Sequence, residues 1–367
     1  MDRAMPLPDF LPALLRPELA ELHAYTPVAG HFPVRLDANE SPPLLSAEAR
    51  AALARAAAPE DWGRYPDARA LDLREAIAAH CGAEPDEILA GVGSDEVISI
   101  VLTALSRPRQ GADAASIVTV SPTFVMYKLS ARARGMRVVE VPLDAGWDLD
   151  VAGLRRAVDF ALPNVVFIAS PNNPTGALMS EDRLEAVVTA ASDALVIVDE
   201  AYIDFAPRDQ LALLRKHPNV AVLRTLSKIG LASLRIGWLI GARELVAELD
   251  KVRQPYNLPT PSQRAAAFAL RELGGELRRA AAAVTAERER LAAGLAALGL
   301  SVAPSHANFL WIGTRRPAGE VFEALAARGV LVRSFHAAGG RLAHRLRITV
   351  GLPEENDRLL AEIAACA

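Results

Sequence analysis

Residues 88 to 240 alternate short, almost wholly apolar runs with segments of helical periodicity. Apolar runs rich in valine and isoleucine are typical of strands buried on both faces, as in parallel sheets that helices cover on each side. The pattern therefore predicts an α/β fold whose large domain is a mostly parallel, seven-stranded sheet flanked by helices. The predicted strands are 88–92, 116–120, 138–141, 165–169, 195–198, 221–224 and 236–240.

The segments on either side of this region have different patterns. A length of 367 residues suits a large domain joined to a smaller one. Residues 1–45 are rich in proline and lack periodicity, which indicates an N-terminal arm, and residues 46–250 form the predicted large domain. Residues 251–367 predict a small α+β domain packed with the N-terminal segment. An alanine- and arginine-rich tract at 262–298 predicts one long helix within it.

The composition argues against several kinds of partner. A net charge of −4 gives no electrostatic reason to expect nucleic acid or an anionic membrane. The two cysteines, Cys81 and Cys366, are too few and too isolated for a disulfide framework or a zinc site, so no metal is expected. Residues 1–12 lack the apolar core of a signal peptide, and no apolar run approaches the ~18 residues of a membrane span. We therefore expect a cytoplasmic protein.

In parallel sheets ligands bind at the carboxyl ends of the strands, so the residues after each predicted strand are the candidates for contacting a ligand. GVGSDE at 91–96 combines a glycine turn with Ser94 and Asp95 at the start of a helix, where free N–H groups can bind an anion. An ordinary strand-to-helix turn can have the same residues. SPNNPTG at 170–176 presents Asn173 on a backbone fixed by prolines, either to a ligand or as part of a structural turn.

Two charged residues also follow apolar runs. Asp199 ends the run at 195–198, where a carboxylate is costly unless it is paired with a cation. That cation is either a protonated ligand nitrogen or an arginine. Lys228 follows the run at 221–224 in a small and largely apolar segment, where it is either a solvated charge or an amine nucleophile. Each motif has an ordinary structural explanation, but four of them at strand ends indicate one ligand site.

The order of these motifs resembles that of the fold-type-I aminotransferases that depend on pyridoxal phosphate, and more narrowly that of the histidinol-phosphate aminotransferases. The resemblance covers residues 25 to 351. SPNNPTG, DEAY and the Ser–Lys pair are specific for the superfamily, whereas LRITVG and NESP favour the histidinol-phosphate branch. The matching motifs are LDANE (36–40), RYPD (64–67), GSDE (93–96), SPTFVMY (121–127), SPNNPTG (170–176), DEAY (199–202), TLSK (225–228) and LRITVG (346–351).

The resemblance implies that the cofactor is pyridoxal 5′-phosphate and that Lys228, Asp199 and Tyr202 are the catalytic residues. Lys228 is implied to carry the cofactor as a Schiff base and Asp199 to pair with its ring nitrogen. The ring hydroxyl oxygen is implied to bind Asn173 and Tyr202, and the ring to stack on Tyr127.

The resemblance also implies binding sites for the cofactor phosphate and the substrate. The phosphate-binding residues are implied to be Ser94, Asp95, Thr225, Ser227 and Arg235, with Tyr65 contributed across the interface of a homodimer. Many members of the family have one more residue than this chain between the lysine and Arg235. The substrate-binding residues are implied to be Arg347, Arg333, Tyr25 and Asn39.

The implied reaction is histidinol phosphate plus 2-oxoglutarate giving imidazole acetol phosphate plus glutamate, a step of histidine biosynthesis. Aromatic amino-acid aminotransferases and threonine-phosphate decarboxylases share the motif set, so both stay open as alternatives. A non-catalytic effector-binding module of the same fold is a third alternative. Such modules carry a DNA-binding domain, which would need more residues than precede Tyr25.

Overall fold

A computed structural model describes residues 8, 10–11, 13–21 and 28–366, without the side chains of residues 20 and 21. Tyr25, predicted to bind substrate, lies outside the described residues. The strands are β1 (Val34–Arg35), β2 (Ile88–Val92), β3 (Ser116–Ser121), β4 (Arg137–Pro142), β5 (Val165–Ala169), β6 (Leu195–Asp199), β7 (Val220–Thr225), β8 (Ile236–Ile240), β9 (Ser301–Val302), β10 (Phe309–Gly313), β11 (Val330–Leu331), β12 (Arg333–Ser334) and β13 (Arg345–Thr349). The α-helices are α1 (Ala47–Ala57), α2 (Leu71–Cys81), α3 (Gly93–Ala104), α4 (Val125–Arg132), α5 (Val151–Ala161), α6 (Glu181–Ala190), α7 (Leu211–Lys216), α8 (Arg243–Asp250), α9 (Thr260–Glu272), α10 (Gly274–Ala297), α11 (Ala318–Ala327) and α12 (Pro353–Ala364).

A seven-stranded sheet forms the centre of the fold, with its strands in the order β2, β8, β7, β6, β5, β3, β4. β8 is antiparallel to both of its neighbours, and the pairs from β7 to β4 are parallel. Each strand contains one of the apolar runs identified in the sequence. The predicted α/β fold with a mostly parallel, seven-stranded sheet is therefore confirmed.

Apart from its edge strand β4, this sheet is buried on both faces. Along β5 and β6, alternate side chains pack into two separate apolar clusters, with Val166 and Val196 in one and Phe167 and Ile197 in the other. Successive side chains of a strand point to opposite faces, so both faces need apolar residues. The continuous apolar runs of the sequence follow directly from this double burial.

Strands β5, β6 and β7 end side by side at one edge of the sheet. Ala169 pairs with Asp199, and Asp199 pairs with Leu223, in parallel register. The carboxyl ends of these strands therefore meet at the same edge. The segments brought together there are 170–176, 199–202 and 225–228.

A second sheet, formed by residues 301 to 349, has the strand order β12, β13, β10, β9 with antiparallel neighbours. The short strand β1 pairs in parallel with β11. Val34 and Leu36 share an apolar cluster with Leu310 and Ile348. The segment around β1 thus packs on the C-terminal part of the chain, while the division into 1–45, 46–250 and 251–367 remains a prediction.

The alanine- and arginine-rich tract is not one helix as predicted. It forms α9 and α10, which are separated at Leu273. Gly274 and Gly275 follow directly, and glycine is unfavourable within a helix because it gains most backbone freedom outside one. None of the helices that the structure describes is long and apolar enough to cross a membrane.

Candidate active site

Lys228 lies at the end of a short 3-10 helix, Leu226–Lys228, that begins where β7 ends. The Thr225 hydroxyl caps this turn by accepting a hydrogen bond from the Ser227 N–H at 3.1 Å. The Ser41 hydroxyl donates to the Lys228 carbonyl at 2.5 Å. The Lys228 ammonium lies 5.9 Å from the centre of the Tyr202 ring, and its side chain is partly buried. The lysine is thus held on a fixed backbone at the strand edge.

Asp199 is buried at the end of β6, with 4% of its surface exposed. Its Oδ2 accepts a hydrogen bond from the Tyr127 hydroxyl at 2.5 Å, and its Oδ1 accepts one from the Ala201 N–H at 2.9 Å. Burial raises the pKa of Asp199 to about 6, although these two hydrogen bonds oppose the rise. At neutral pH the residue is a buried anion whose orientation is fixed.

The arginine that could have neutralised Asp199 pairs with the next residue instead. Arg224 Nε donates to Glu200 Oε2 at 2.8 Å, and its Nη2 also lies 2.9 Å from Asp209 Oδ2. Adjacent residues at a strand end point to opposite sides, so Glu200 faces the arginine and Asp199 faces Tyr127. An arginine and a protonated ligand nitrogen were the two cations expected as partners of Asp199. Because Arg224 pairs with Glu200, the ligand nitrogen is the candidate that remains.

Tyr127 does not fill the role predicted for it. Its ring stacks on Phe167 with centroids 4.7 Å apart, and it has 0% exposed surface. Burial, and then the charge of Asp199, raise the pKa of Tyr127, so the phenol keeps its proton and donates a hydrogen bond to the carboxylate. A ring without accessible surface cannot stack on a bound cofactor, so that prediction is wrong. Phe124, three residues earlier and only partly buried, is the candidate for the stacking contact.

An anion cradle lies between β2 and α3. α3 begins at Gly93, whose φ of +71° disfavours any other residue, and a Cβ there would lie 2.6 Å from Arg235 Nη2. The Gly93 N–H donates to the Arg235 carbonyl at 2.8 Å. The first N–H groups of a helix lack hydrogen-bond acceptors inside the helix. In α3 the N–H groups of Ser94 and Asp95 are of this kind and can bind an anion.

Two hydroxyls complete the cradle. Arg235 Nη1 donates to Ser227 Oγ at 3.4 Å, and the Thr225 and Ser227 hydroxyls lie 2.9 Å apart. Arg235 thus reaches the cradle although its loop is one residue shorter than in many relatives. Asp95 Oδ1 is buried without a hydrogen-bond partner among the described residues, and Asp95 Oδ2 lies 3.9 Å from Arg235 Nη2. The guanidinium, the hydroxyls and the helix N-terminus together suit a phosphate group.

Arg347 connects the second sheet to this edge. It lies on β13 and is 8% exposed. Its Nη1 donates to Asn173 Oδ1 at 2.6 Å, and its Nη2 donates to the Asp37 carbonyl at 2.5 Å. Because Oδ1 of Asn173 is taken, its amide NH₂ is the group left to bind a ligand.

Arg333 is the antiparallel partner of Arg347 on the neighbouring strand β12. Directly opposite residues of antiparallel strands place their side chains on the same face, and two like charges there are destabilising. Arg333 is exposed, whereas Arg347 is buried. An anionic ligand between the two guanidinium groups would remove the repulsion, so this pair suits an anionic substrate group.

Asn39 lies behind Tyr202 and is 2% exposed. Its Nδ2 donates to the Tyr202 hydroxyl at 2.9 Å, and its Oδ1 accepts from the Thr349 hydroxyl at 3.2 Å. The amide is therefore occupied on both sides by the protein. The prediction that Asn39 contacts the substrate is wrong, since the residue contacts Tyr202 instead.

The chain is similar to known proteins over nearly its whole length. The model of the family described as aminotransferase class I and II matches residues 33–363. The chain belongs to this family. Histidinol-phosphate aminotransferases from Methylibium petroleiphilum and Chromobacterium violaceum are 42% and 41% identical to it, covering 98% and 95% of this chain and 96% and 97% of theirs. The crystal structure of histidinol-phosphate aminotransferase from Sinorhizobium meliloti in complex with pyridoxal-5′-phosphate has a TM-score of 0.84 at 27% identity, covering 96% of this chain and 97% of that one.

The sequence did not predict two contacts of the site and the accessibility of one aromatic ring. Tyr127 bonds Asp199, Phe124 keeps accessible surface, and Asn39 bonds Tyr202. The start of α4 could have indicated that the two rings have different surroundings. Phe124 precedes the helix, whereas Tyr127 lies in its first turn. No local pattern signals the contact of Asn39 with Tyr202, since its partners are 163 residues apart.

Proposed function

We propose that this chain is a histidinol-phosphate aminotransferase. It uses pyridoxal phosphate to transfer an amino group from histidinol phosphate to 2-oxoglutarate, giving imidazole acetol phosphate and glutamate in histidine biosynthesis. One observation carries the proposal. Arg347, which pairs with Arg333 on the neighbouring strand and suits an anionic substrate group, donates a hydrogen bond to Asn173, which lies at the same sheet edge as Lys228 and Asp199. The relatives that bear this name, matched over nearly their whole length, support the same reaction.

The residues present fit pyridoxal phosphate group by group. The amine of Lys228 suits its aldehyde, and the buried carboxylate of Asp199 suits a protonated ring nitrogen. The Tyr202 hydroxyl and the Asn173 amide suit the ring oxygen. The cradle around Gly93, which a Cβ would fill, suits the phosphate.

The chemistry divides between the cofactor and the chain. When bound, pyridoxal phosphate draws into its ring the electron pair left by loss of the substrate Cα proton. Lys228 accepts that proton and returns it, because a free amine on a fixed backbone is a suitable general base. Asp199 supplies the negative charge that keeps a ring nitrogen protonated, and Tyr127 holds that carboxylate in place.

One site must bind glutamate and histidinol phosphate in turn. A planar guanidinium accepts either a carboxylate or a phosphate through parallel hydrogen bonds. Arg347, with Arg333 on the neighbouring strand, would serve both anions. This double use explains why the clamp consists of arginines rather than of lysines, which are point charges.

Arg347→Ala should lower kcat/KM about 100-fold for glutamate and for histidinol phosphate alike, as expected when a charge-assisted hydrogen-bond pair is lost. Steady-state kinetics in both directions measures the effect. Arg358→Ala, which changes an exposed arginine on α12, is the matched control and should leave both values unchanged. A loss confined to one substrate would contradict the shared clamp.

We further propose a homodimer to which Tyr65 contributes across the interface. Tyr65 is 81% exposed and stacks on Tyr256 with centroids 4.7 Å apart, and Trp62, three residues earlier in the chain, is 80% exposed. Exposed aromatic clusters of this kind are enriched at protein interfaces. The three-part domain division and a cytoplasmic location belong to the same proposal.

The reaction is tested by comparing amino donors. Histidinol phosphate, phenylalanine and threonine phosphate are each given to the enzyme loaded with pyridoxal phosphate, with 2-oxoglutarate as acceptor, and the glutamate formed is measured. We expect histidinol phosphate to give the highest kcat/KM by about 100-fold or more, since the other donors lack either its phosphate or its imidazole. A preference for phenylalanine, or release of CO₂ from threonine phosphate, would contradict the proposed substrate.

A further inference from the structure

Asn39 is bonded by the protein at every polar group. It adopts a left-handed backbone with φ of +55° in the segment after β1. Its N–H donates to Thr349 Oγ1 at 3.0 Å, and its carbonyl accepts from Asn308 Nδ2 at 3.1 Å. The side chain bonds the Thr349 hydroxyl through Oδ1 and Tyr202 through Nδ2. Such a set of contacts fixes the position of its amide.

The Thr349 hydroxyl also decides which way the amide faces. This hydroxyl is buried and accepts the Asn39 N–H, so its single proton remains to be donated. Among the described residues the Asn39 side chain is the one acceptor that this hydroxyl has, and only an oxygen can accept its proton. Oδ1 therefore faces Thr349 and the NH₂ faces Tyr202. The Tyr202 oxygen therefore accepts a hydrogen bond from the protein, and its own proton is left for another acceptor.

We propose that Asn39, oriented by Thr349, is a positioning residue that makes Tyr202 a hydrogen-bond donor to the ring oxygen of bound pyridoxal phosphate. This inference rests on the proposed function. Without Asn39, the Tyr202 proton could turn toward any neighbouring acceptor. With it, the proton is available to the site before any ligand arrives.

The direction of this hydrogen bond has a measurable consequence. A donor stabilises the ring oxygen in its anionic form and so favours loss of the proton from the Lys228–cofactor linkage. The pH at which that proton is lost is therefore lower when Tyr202 donates. If Tyr202 donates elsewhere, the midpoint of this titration should move to higher pH.

Asn39→Asp reverses the bond with little change of shape. The carboxylate still accepts from Thr349, but it now also accepts the proton of Tyr202. For protein loaded with pyridoxal phosphate, the pH midpoint of the visible absorbance change should rise by about one unit. Thr349→Val, which releases the amide, should shift the midpoint in the same direction, and Thr349→Ser, which keeps the hydroxyl, should restore the wild-type midpoint.

A double-mutant cycle with Tyr202→Phe separates an effect that passes from Asn39 through Tyr202, here called the relay, from a direct effect of the new charge on the cofactor. The relay requires the shift caused by Asn39→Asp to shrink severalfold in the Tyr202→Phe background. An equal shift in both backgrounds, or none in the wild-type background, overturns it. If Asn39→Asp does not fold, as judged by its thermal melting curve, Thr349→Val and Thr349→Ser test the relay instead. A midpoint that Thr349→Val leaves unchanged would then overturn it. A wild type that gains no visible absorbance with pyridoxal phosphate would instead contradict the proposed function.

Discussion

Lys228→Ala is expected to lower the rate of glutamate formation by on the order of 10,000-fold, the upper end of the contribution of a positioned general base. The residue is the lysine at the strand edge where Asp199 and the anion cradle lie, so its loss removes both the base and the covalent anchor. Loss of both roles should lower kcat much more than it raises KM. Stopped assays at saturating histidinol phosphate and 2-oxoglutarate measure the effect.

The matched control is Lys251→Ala, which removes an exposed lysine that follows α8 and bonds Glu248. Its rate should equal that of the wild type. Because added small amines can act as a base, methylamine should restore part of the activity of Lys228→Ala. Activity within tenfold of the wild type in Lys228→Ala would contradict the assignment of this lysine.

Asp199→Asn is expected to lower kcat by on the order of 100- to 1,000-fold, the range seen when one preorganised electrostatic group is lost. Asparagine has the same shape and still accepts the Tyr127 hydrogen bond, but it loses the hydrogen bond from the Ala201 N–H and carries no charge to keep a ring nitrogen protonated. The variant should therefore fold normally and fail in catalysis. Asp193→Asn, on the exposed turn before β6, is the control.

The pH dependence adds a second test of Asp199. Burial raises its pKa to about 6 in the cofactor-free protein, so the carboxylate is charged above that pH and protonated below it. Affinity of the wild type for pyridoxal phosphate should accordingly fall as the pH drops through about 6. Asp199→Asn should lose this pH dependence and bind weakly throughout. The same pH dependence in wild type and variant would show that another group is responsible.

Sequence periodicity predicted the seven strands because each contains an apolar run, and burial on both faces makes nearly every position of the inner strands apolar. It did not give the direction of β8, since an apolar run has the same pattern in either direction. It joined α9 to α10 because alanine and arginine favour helix on both sides of the break at Leu273. Short-range pattern thus gave the elements, and long-range packing gave their arrangement.

The candidate site was predictable where its residues follow strands, as Lys228 and Asp199 do. It was not predictable where a ring or an amide turns away from the ligand. Tyr127 was predicted to stack on the cofactor but packs on Phe167, because it lies on the buried face of α4 together with Ser130 and Ala131. Asn39 was predicted to bind substrate but bonds Tyr202 and Thr349, which are distant in sequence.

Lys228, at the carboxyl end of β7, is the residue that we propose carries pyridoxal phosphate. Borohydride reduction of the loaded protein followed by peptide mass mapping tests this proposal most directly. We expect a phosphopyridoxyl group on Lys228 in near-stoichiometric yield. Unmodified Lys228, or a stoichiometric group on another lysine, would contradict it.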